Sequence, residues 1–232
     1  MTKEPSPVAA ETHGSDEQDA KERLLVAAGP MFADRGYEAV STRDLSRKAK
    51  VNLSAITYHF GGKRGLYDAV VERVLDDMAP MRSLVMATLE SGMAEAERDH
   101  SALPDLVKRF VRTIVTLLTH PDFQLWRMQL MLREITQPSD AFAVIMERHI
   151  VPLQNSVARM VAAATDRPAS DPRTIILSHA VISQLLHFGI ARNVLLTRLE
   201  WPNYTPERVE TVIAITSEIV FAMLGLDDRR EV

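Results

Sequence analysis

From about residue 20 onward, apolar side chains recur every three or four positions and never alternate convincingly. Leu24, Ala27, Ala28, Met31 and Phe32 form one such series, Leu66, Val70, Val74 and Met78 a second, and Leu106, Phe110, Ile114 and Leu117 a third. That spacing lines one face of an α-helix, whereas a half-buried strand would need a period of two. The pattern therefore predicts an all-α fold, and no fixed-period repeat points to a solenoid. The punctuation agrees. Gly36 follows Asp34-Arg35 as a C′ glycine, and Pro104, Pro121, Pro172 and Pro206 are placed near helix starts. Thr205-Pro206-Glu207 reads as N-cap, N1 and acidic first turn, and Gly225 closes the last helix.

With 232 residues, 46% of them hydrophobic, the chain can build one or two packed cores and is not globally disordered. Residues 1–19 are the exception: rich in Pro, Ser, Glu, Asp and Thr without periodicity, they are expected to be an unstructured tail. The chain has no cysteine, which removes disulfides, thiolate zinc sites and cysteine nucleophiles, and a reducing cytoplasm fits best. The first residues hold no apolar run of the kind that makes a signal peptide. The longest uncharged stretch, 174–191, is interrupted by Ser178, His179, Ser183, Gln184 and His187, so a buried helix is expected there and no membrane span. A net charge of −4 argues against indiscriminate coating of nucleic acid.

Residues 36–63 differ in texture. Ser41-Thr42-Arg43-Asp44 fits a capping box and opens a short helix over 42–49. Lys50-Val51-Asn52 makes a tight connection to a second short helix over 53–59. Helices this short are not stable alone. Flanked by helices over 20–35 and 63–78, they can close a core from Phe32, Val40, Leu45, Ala49, Val51, Ile56, Phe60 and Leu66, which is a helix-turn-helix arrangement. The charge is local too. Between residues 41 and 65 the bases are Arg43, Arg47, Lys48, Lys50, Lys63 and Arg64, and the one acid is Asp44. A basic island on such a motif suits phosphate contact, while Ser54, Ala55, Thr57, Tyr58 and His59 are of a kind a major groove admits. A solvated face that happens to be basic is the bland alternative.

The run from Thr42 to Leu66, with Tyr58-His59-Phe60 followed by Lys63, resembles the DNA-binding domain of the TetR family of bacterial transcription regulators, and Phe32-Ala33 with Gly36-Tyr37 fits its first helix and turn. The resemblance is close over residues 20–68. It implies a three-helix reading head, a longer helical domain over 69–226 for effector binding and dimerisation, and a homodimer on palindromic double-stranded operator DNA. It further implies Thr42 and Arg43 against phosphate, Ser54, Ala55 and Thr57 toward bases, and Tyr58, His59 and Lys63 on the backbone. Many relatives carry an aromatic residue at the place of Thr57 and glycine at that of Ser54, so the operator cannot be copied from them.

Arg133-Glu134, Pro138, Ala141-Phe142, His149-Ile150-Val151-Pro152, Ser183-Gln184, Phe188 and Trp201-Pro202 are similar to the effector domain of one branch, the CecR-like regulators. Helices over 172–196 and 206–224 carry apolar faces (Ile176, Val181, Leu185, Phe188; Val209, Val212, Ile213, Thr216, Val220, Met223) that either pair with a second copy as a four-helix bundle or fill the monomer core. A mostly apolar pocket for a small-molecule effector is expected among Trp126, Met128, Met131, Leu132, Phe142, Met146, Gln184, His187 and Phe188. Arg133 and Glu134 read more readily as a structural ion pair than as a ligand anchor. His179 and His187, even with His149 and Glu134, lack the spacing of a zinc site, so no metal or other cofactor is expected. No phosphate-cradling loop, nucleophile elbow or HExxH pair is present. The leading reading is thus a ligand-controlled DNA-binding regulator, most simply a repressor and not an enzyme. An all-α small-molecule carrier or enzyme is the alternative.

Overall fold

A computed structural model describes residues 8–226. Among them the fold is all-α, with no strand: α1 (Val8–Ala39), α2 (Thr42–Ala49), α3 (Ser54–Phe60), α4 (Lys63–Ala96), a 3-10 turn (His100–Ala102), α5 (Leu103–Thr119), α6 (Leu125–Thr136), α7 (Ala141–Ile145), a π-helical turn (Met146–Ile150), α8 (Val151–Thr165), α9 (Pro172–Ile190), α10 (Arg192–Arg198) and α11 (Pro206–Leu224). The first seven residues of the expected tail lie outside the described residues, and from Val8 the backbone is helical. No single described helix is long and apolar enough to cross a membrane.

The described residues form two compact units. The first comprises those up to Asp77 together with Trp126–Ile145; the second comprises Met78–Leu125 and those from Met146 on. In the first unit, Leu24, Ala28, Phe32 and Ala33 of α1 meet Leu45 and Ala49 of α2, Ile56 of α3 and Leu66, Tyr67, Val70, Val71, Val74 and Leu75 of α4, all buried. Of the core expected from sequence, Val51 and Phe60 are only half-buried. Two short helices are held because each lends one or two apolar residues to a core that the long helices supply. In the second unit the amphipathic α5 lies against α9 and α11, and α8 against α9. Its core joins Val85 and Leu89 of α4, Leu106, Phe110 and Val115 of α5, Val157 and Val161 of α8, Val181 and Leu185 of α9 and Val212, Ile213 and Val220 of α11.

Three helix boundaries depart from the sequence reading. The helix expected over 63–78 continues to Ala96 through Pro80, although proline lacks the N–H that would bond the carbonyl four residues back. The helix expected over 172–196 ends at Ile190, and α10 leaves at 68°. The apolar periodicity carries on across this bend and conceals it. Pro121 follows the end of α5 instead of opening the next helix, which starts at Leu125.

One junction sets the placement of α3. A Cβ built on Gly65, in the first turn of α4, would lie 1.8 Å from the carbonyl oxygen of Phe60, the last residue of α3. Only a residue without a Cβ lets the two helices meet so closely. Gly65→Ala should therefore cost about 2 kcal/mol or more, as overpacking against backbone does. Chemical denaturation followed by circular dichroism checks this, and an unchanged midpoint would count against the close approach.

Candidate nucleic-acid interface

α2 starts at a satisfied cap. The Ser41 hydroxyl accepts from the Asp44 amide at 3.1 Å and donates to the Asp44 carboxylate at 2.7 Å. This hydrogen bond from Ser41, then Arg47, whose Nη1 lies 3.2 Å from Oδ1, hold the Asp44 carboxyl below its usual range. The helix closes on Lys50, whose backbone is left-handed at φ 55° and whose N–H reaches the Arg47 and Ser46 carbonyls. That one residue reverses the chain. Asn52 then accepts from the Ser54 amide at 3.2 Å, and α3 begins.

The side chains expected to meet DNA lie at this surface. Arg43, Ser54, Thr57 and Tyr58 are exposed, Tyr58 to 71%, while Thr42, Ala55 and His59 are half-buried. The Tyr58 and His59 rings meet edge to face, 4.9 Å apart. Lys63 is half-buried, its ammonium 4.2 Å above the Tyr37 ring and 3.4 Å from the Glu38 carbonyl. Among the bases of the island, Arg43, Arg47, Lys48 and Lys50 are exposed. Arg64 is tied instead to Asp68 at 3.0 Å and Asp140 at 3.3 Å, so its charge is matched locally.

Arg133 and Glu134 are not paired with each other. Both attach α6 to the reading head. The Arg133 guanidinium donates to the Ala33 carbonyl at 2.8 Å and the Asp34 carbonyl at 2.5 Å. These are orphan carbonyls at the end of the regular part of α1, where Gly36 (φ 80°, ψ 165°) leaves the helical conformation. A Cβ at Gly36 would approach Arg133 Nη1 to 3.1 Å. The buried Glu134 carboxylate accepts from the Tyr67 hydroxyl of α4 and from the Ser139 amide and hydroxyl, the latter two at 3.1 and 2.9 Å. Burial first, and the hydrogen bond to Glu134 second, raise the Tyr67 pKa. Tyr67 also packs edge-on against Phe32 at 5.0 Å and Tyr37 at 5.2 Å. Nothing local in the sequence signals the ties to α1 and α4, since Arg133 lies about a hundred residues from its partners and Glu134 67 from Tyr67.

The residues expected to line an effector pocket are divided between the units. Trp126, Met128, Met131, Leu132 and Phe142 belong to the first; Met146, Gln184, His187 and Phe188 belong to the second. Met128 and Met131 are buried, and Trp126 lies against Gly29, so close that a Cβ there would be 2.6 Å from the indole. Phe188 packs on the second unit's core, and His179 and His187 are exposed. The second unit has a cavity of 160 Å³ between α4 and α8 with other walls: Met86, Leu89, Glu90, Met93, Ser156 and Arg159.

A capped short helix, a left-handed turn and a second short helix with an exposed polar face, seated on two long helices, define a helix-turn-helix regulator. The chain belongs to the TetR family of bacterial regulatory proteins and, within it, to the CecR-like branch. The TetR family model matches residues 24–70, and the model of the C-terminal domain of the HTH-type transcriptional dual regulator CecR matches 103–226. The dual regulator CecR of Shigella flexneri is 30% identical over 91% of this chain and 95% of its own length. Solved structures share the fold. A TetR-family regulator from Streptomyces coelicolor superposes with TM-score 0.59 at 18% identity, over 95% of this chain and 97% of that one. AibR, solved in complex with isovaleryl coenzyme A and operator DNA, superposes with TM-score 0.56 at 15% identity, over 87% of this chain and 98% of that one.

Replacing Glu134 by Leu would strand the Tyr67 hydroxyl in a buried site, at a cost of about 1–3 kcal/mol. A Tyr67→Phe, Glu134→Leu double-mutant cycle measured by urea unfolding should show that the second change costs less once the first is made. Strict additivity would contradict the tie.

Proposed function

We propose that this chain is a ligand-controlled transcription regulator, most simply a repressor, acting in the cytoplasm as a homodimer on a palindromic operator. It works by binding, not catalysis. The observation that carries this reading is the exposed polar face of α3 together with the exposed bases of α2 and its turn: Ser54, Thr57 and Tyr58 stand outward, as do Arg43 at the start of α2 and Arg47, Lys48 and Lys50 at its end. In this reading Arg43 and Thr42 hold phosphate, and Ser54, Ala55 and Thr57 face base edges. Tyr58 and His59 brace the backbone, and Lys63 joins them by swinging off Tyr37. Two recognition helices about 34–36 Å apart enter successive major grooves. An effector that prefers another helix arrangement shifts the population away from that spacing.

The homodimer is assigned to α9 and α11. Most of the faces read from sequence as pairing surfaces fill the monomer's own core: Val181, Leu185 and Val220 are fully buried. The side chains left for a partner are Ile175 and Ile176 on α9 and Ile215 and Ile219 on α11, between 43% and 67% exposed. AibR was solved with an acyl coenzyme A and with operator DNA, the two kinds of partner, small molecule and DNA, that this reading assigns here.

Fluorescence anisotropy with the DNA upstream of the chain's own gene, against a random fragment, tests the function; equal affinity for both would overturn it. Arg43→Ala should weaken binding to all sequences and reduce the salt slope by about one, whereas Thr57→Ala should relax the preference at one base pair by about 1–3 kcal/mol.

Ile219→Asp should give a folded monomer in sedimentation at micromolar concentration. Val220→Asp, one residue on, should unfold the chain by burying an unpaired charge. A dimeric Ile219→Asp protein would remove α11 from the interface.

A further inference from the structure

The second unit holds a charge arrangement that DNA reading does not use. There the latter part of α4 and the π turn with α8 lie side by side and run in the same sense. Arg82 Nη1 is 3.3 Å from His149 Nδ1 at one end, and Arg159 Nη2 is 4.0 Å from Glu97 Oε1 at the other. Between these ends, Met86, Leu89, Glu90 and Met93 face Ser156 and Arg159 around the 160 Å³ cavity. Arg82, Met86, Leu89 and Met93 follow one another at three- and four-residue spacing, so Arg82 continues the stripe that lines the cavity.

The polar end is unusual. His149 stands on a single π-helical turn, a rare geometry found frequently at functional sites. Its imidazole is half-buried; that burial first, and the Arg82 charge second, lower its pKa to about 4. At neutral pH the imidazole is therefore uncharged, and the half-buried Arg82 guanidinium faces it with no carboxylate salt bridge among the described residues. One helical turn before Met86, a cation and a proton-accepting ring stand beyond the end of a cavity lined by Met86, Leu89 and Met93 together with Glu90, Ser156 and Arg159, and that combination complements an anion that carries an apolar tail.

We infer that the α4–α8 groove binds a short-chain carboxylate, with its head between Arg82 and His149 and its alkyl chain along Met86, Leu89 and Met93. This rests on the ligand-controlled function proposed above and gives that ligand a place and a chemical class. The bound anion favours the imidazolium, so binding takes up a proton. Affinity is then highest at low pH and falls as pH rises through the raised His149 pKa of the complex, by at most about tenfold per unit. The other charged groups along the groove are Arg82 and Glu90 from α4, Glu97 just after it, Arg159 from α8, and Glu147 and Arg148 on the π turn itself, and a His149 variant separates their influence from that of the imidazole.

Hexanoate is the probe and hexanol its uncharged control, titrated calorimetrically into the full chain between pH 6 and 8. Hexanoate should bind more tightly than hexanol and more tightly at pH 6 than at pH 8. Arg82→Met should weaken hexanoate at least about tenfold and leave hexanol unchanged, Arg82→Lys should restore part of the loss, and His149→Gln should flatten the pH dependence. Operator affinity, measured on each protein without hexanoate, reports an intact fold and separates the two claims. Absence of operator binding by the wild type defeats the proposed function. Retained operator binding with no hexanoate binding, or with hexanoate binding indifferent to Arg82→Met, defeats this site alone.

Discussion

A single carboxylate, that of Glu134, decides how the first unit is put together. It is buried, and a buried charge is tolerated only where donors surround it. Tyr67 supplies one from α4, and Ser139 supplies two from the turn after α6. The neighbouring Arg133 simultaneously satisfies the carbonyls at the end of the regular part of α1. Two adjacent residues thus bring α6, the end of α1 and the start of α4 into one packed body, and the short helices α2 and α3 are seated on that body. Remove the carboxylate and the Tyr67 hydroxyl, whose ring packs edge-on against Phe32 and Tyr37, loses its acceptor.

The reading head was legible in the sequence because its determinants are local. Ser41 caps α2 through a residue three positions away, Gly65 admits α3 through one five positions away, and the apolar positions Phe32, Leu45, Ile56 and Leu66 follow the periods of their own helices. The ties of Arg133 and Glu134 were not legible. They look like an i, i+1 charge pair, which on a helix points in two directions, and the partners on α1 and α4 lie far away along the chain. The faces of α9 and α11 were legible only as apolar. Periodicity cannot say whether Val220 or Ile219 meets a neighbour outside, since both sides of α11 carry aliphatic residues. Met, Trp and Phe on helices mark burial first of all, and Met128 and Met131 are buried in the first unit.

Charge tells a parallel story. Counting bases marked a basic region but overcounted the charge it exposes. Arg64 is spent on Asp68 and Asp140, and Lys63 is parked over Tyr37. The exposed positive charge of the motif therefore lies toward the end of α2 and its turn, in Arg47, Lys48 and Lys50, with Arg43 at the start of that helix.

Pro80 has a mechanical consequence. The boundary between the two units falls at Asp77 and Met78, inside α4. There the backbone ladder is missing one rung, because residue 80 has no amide hydrogen to offer the carbonyl of Asp76. A helix yields to a bending force first where its ladder is incomplete. α4 thus has one position where its ladder is incomplete, and that position is written into the sequence by a single imino acid.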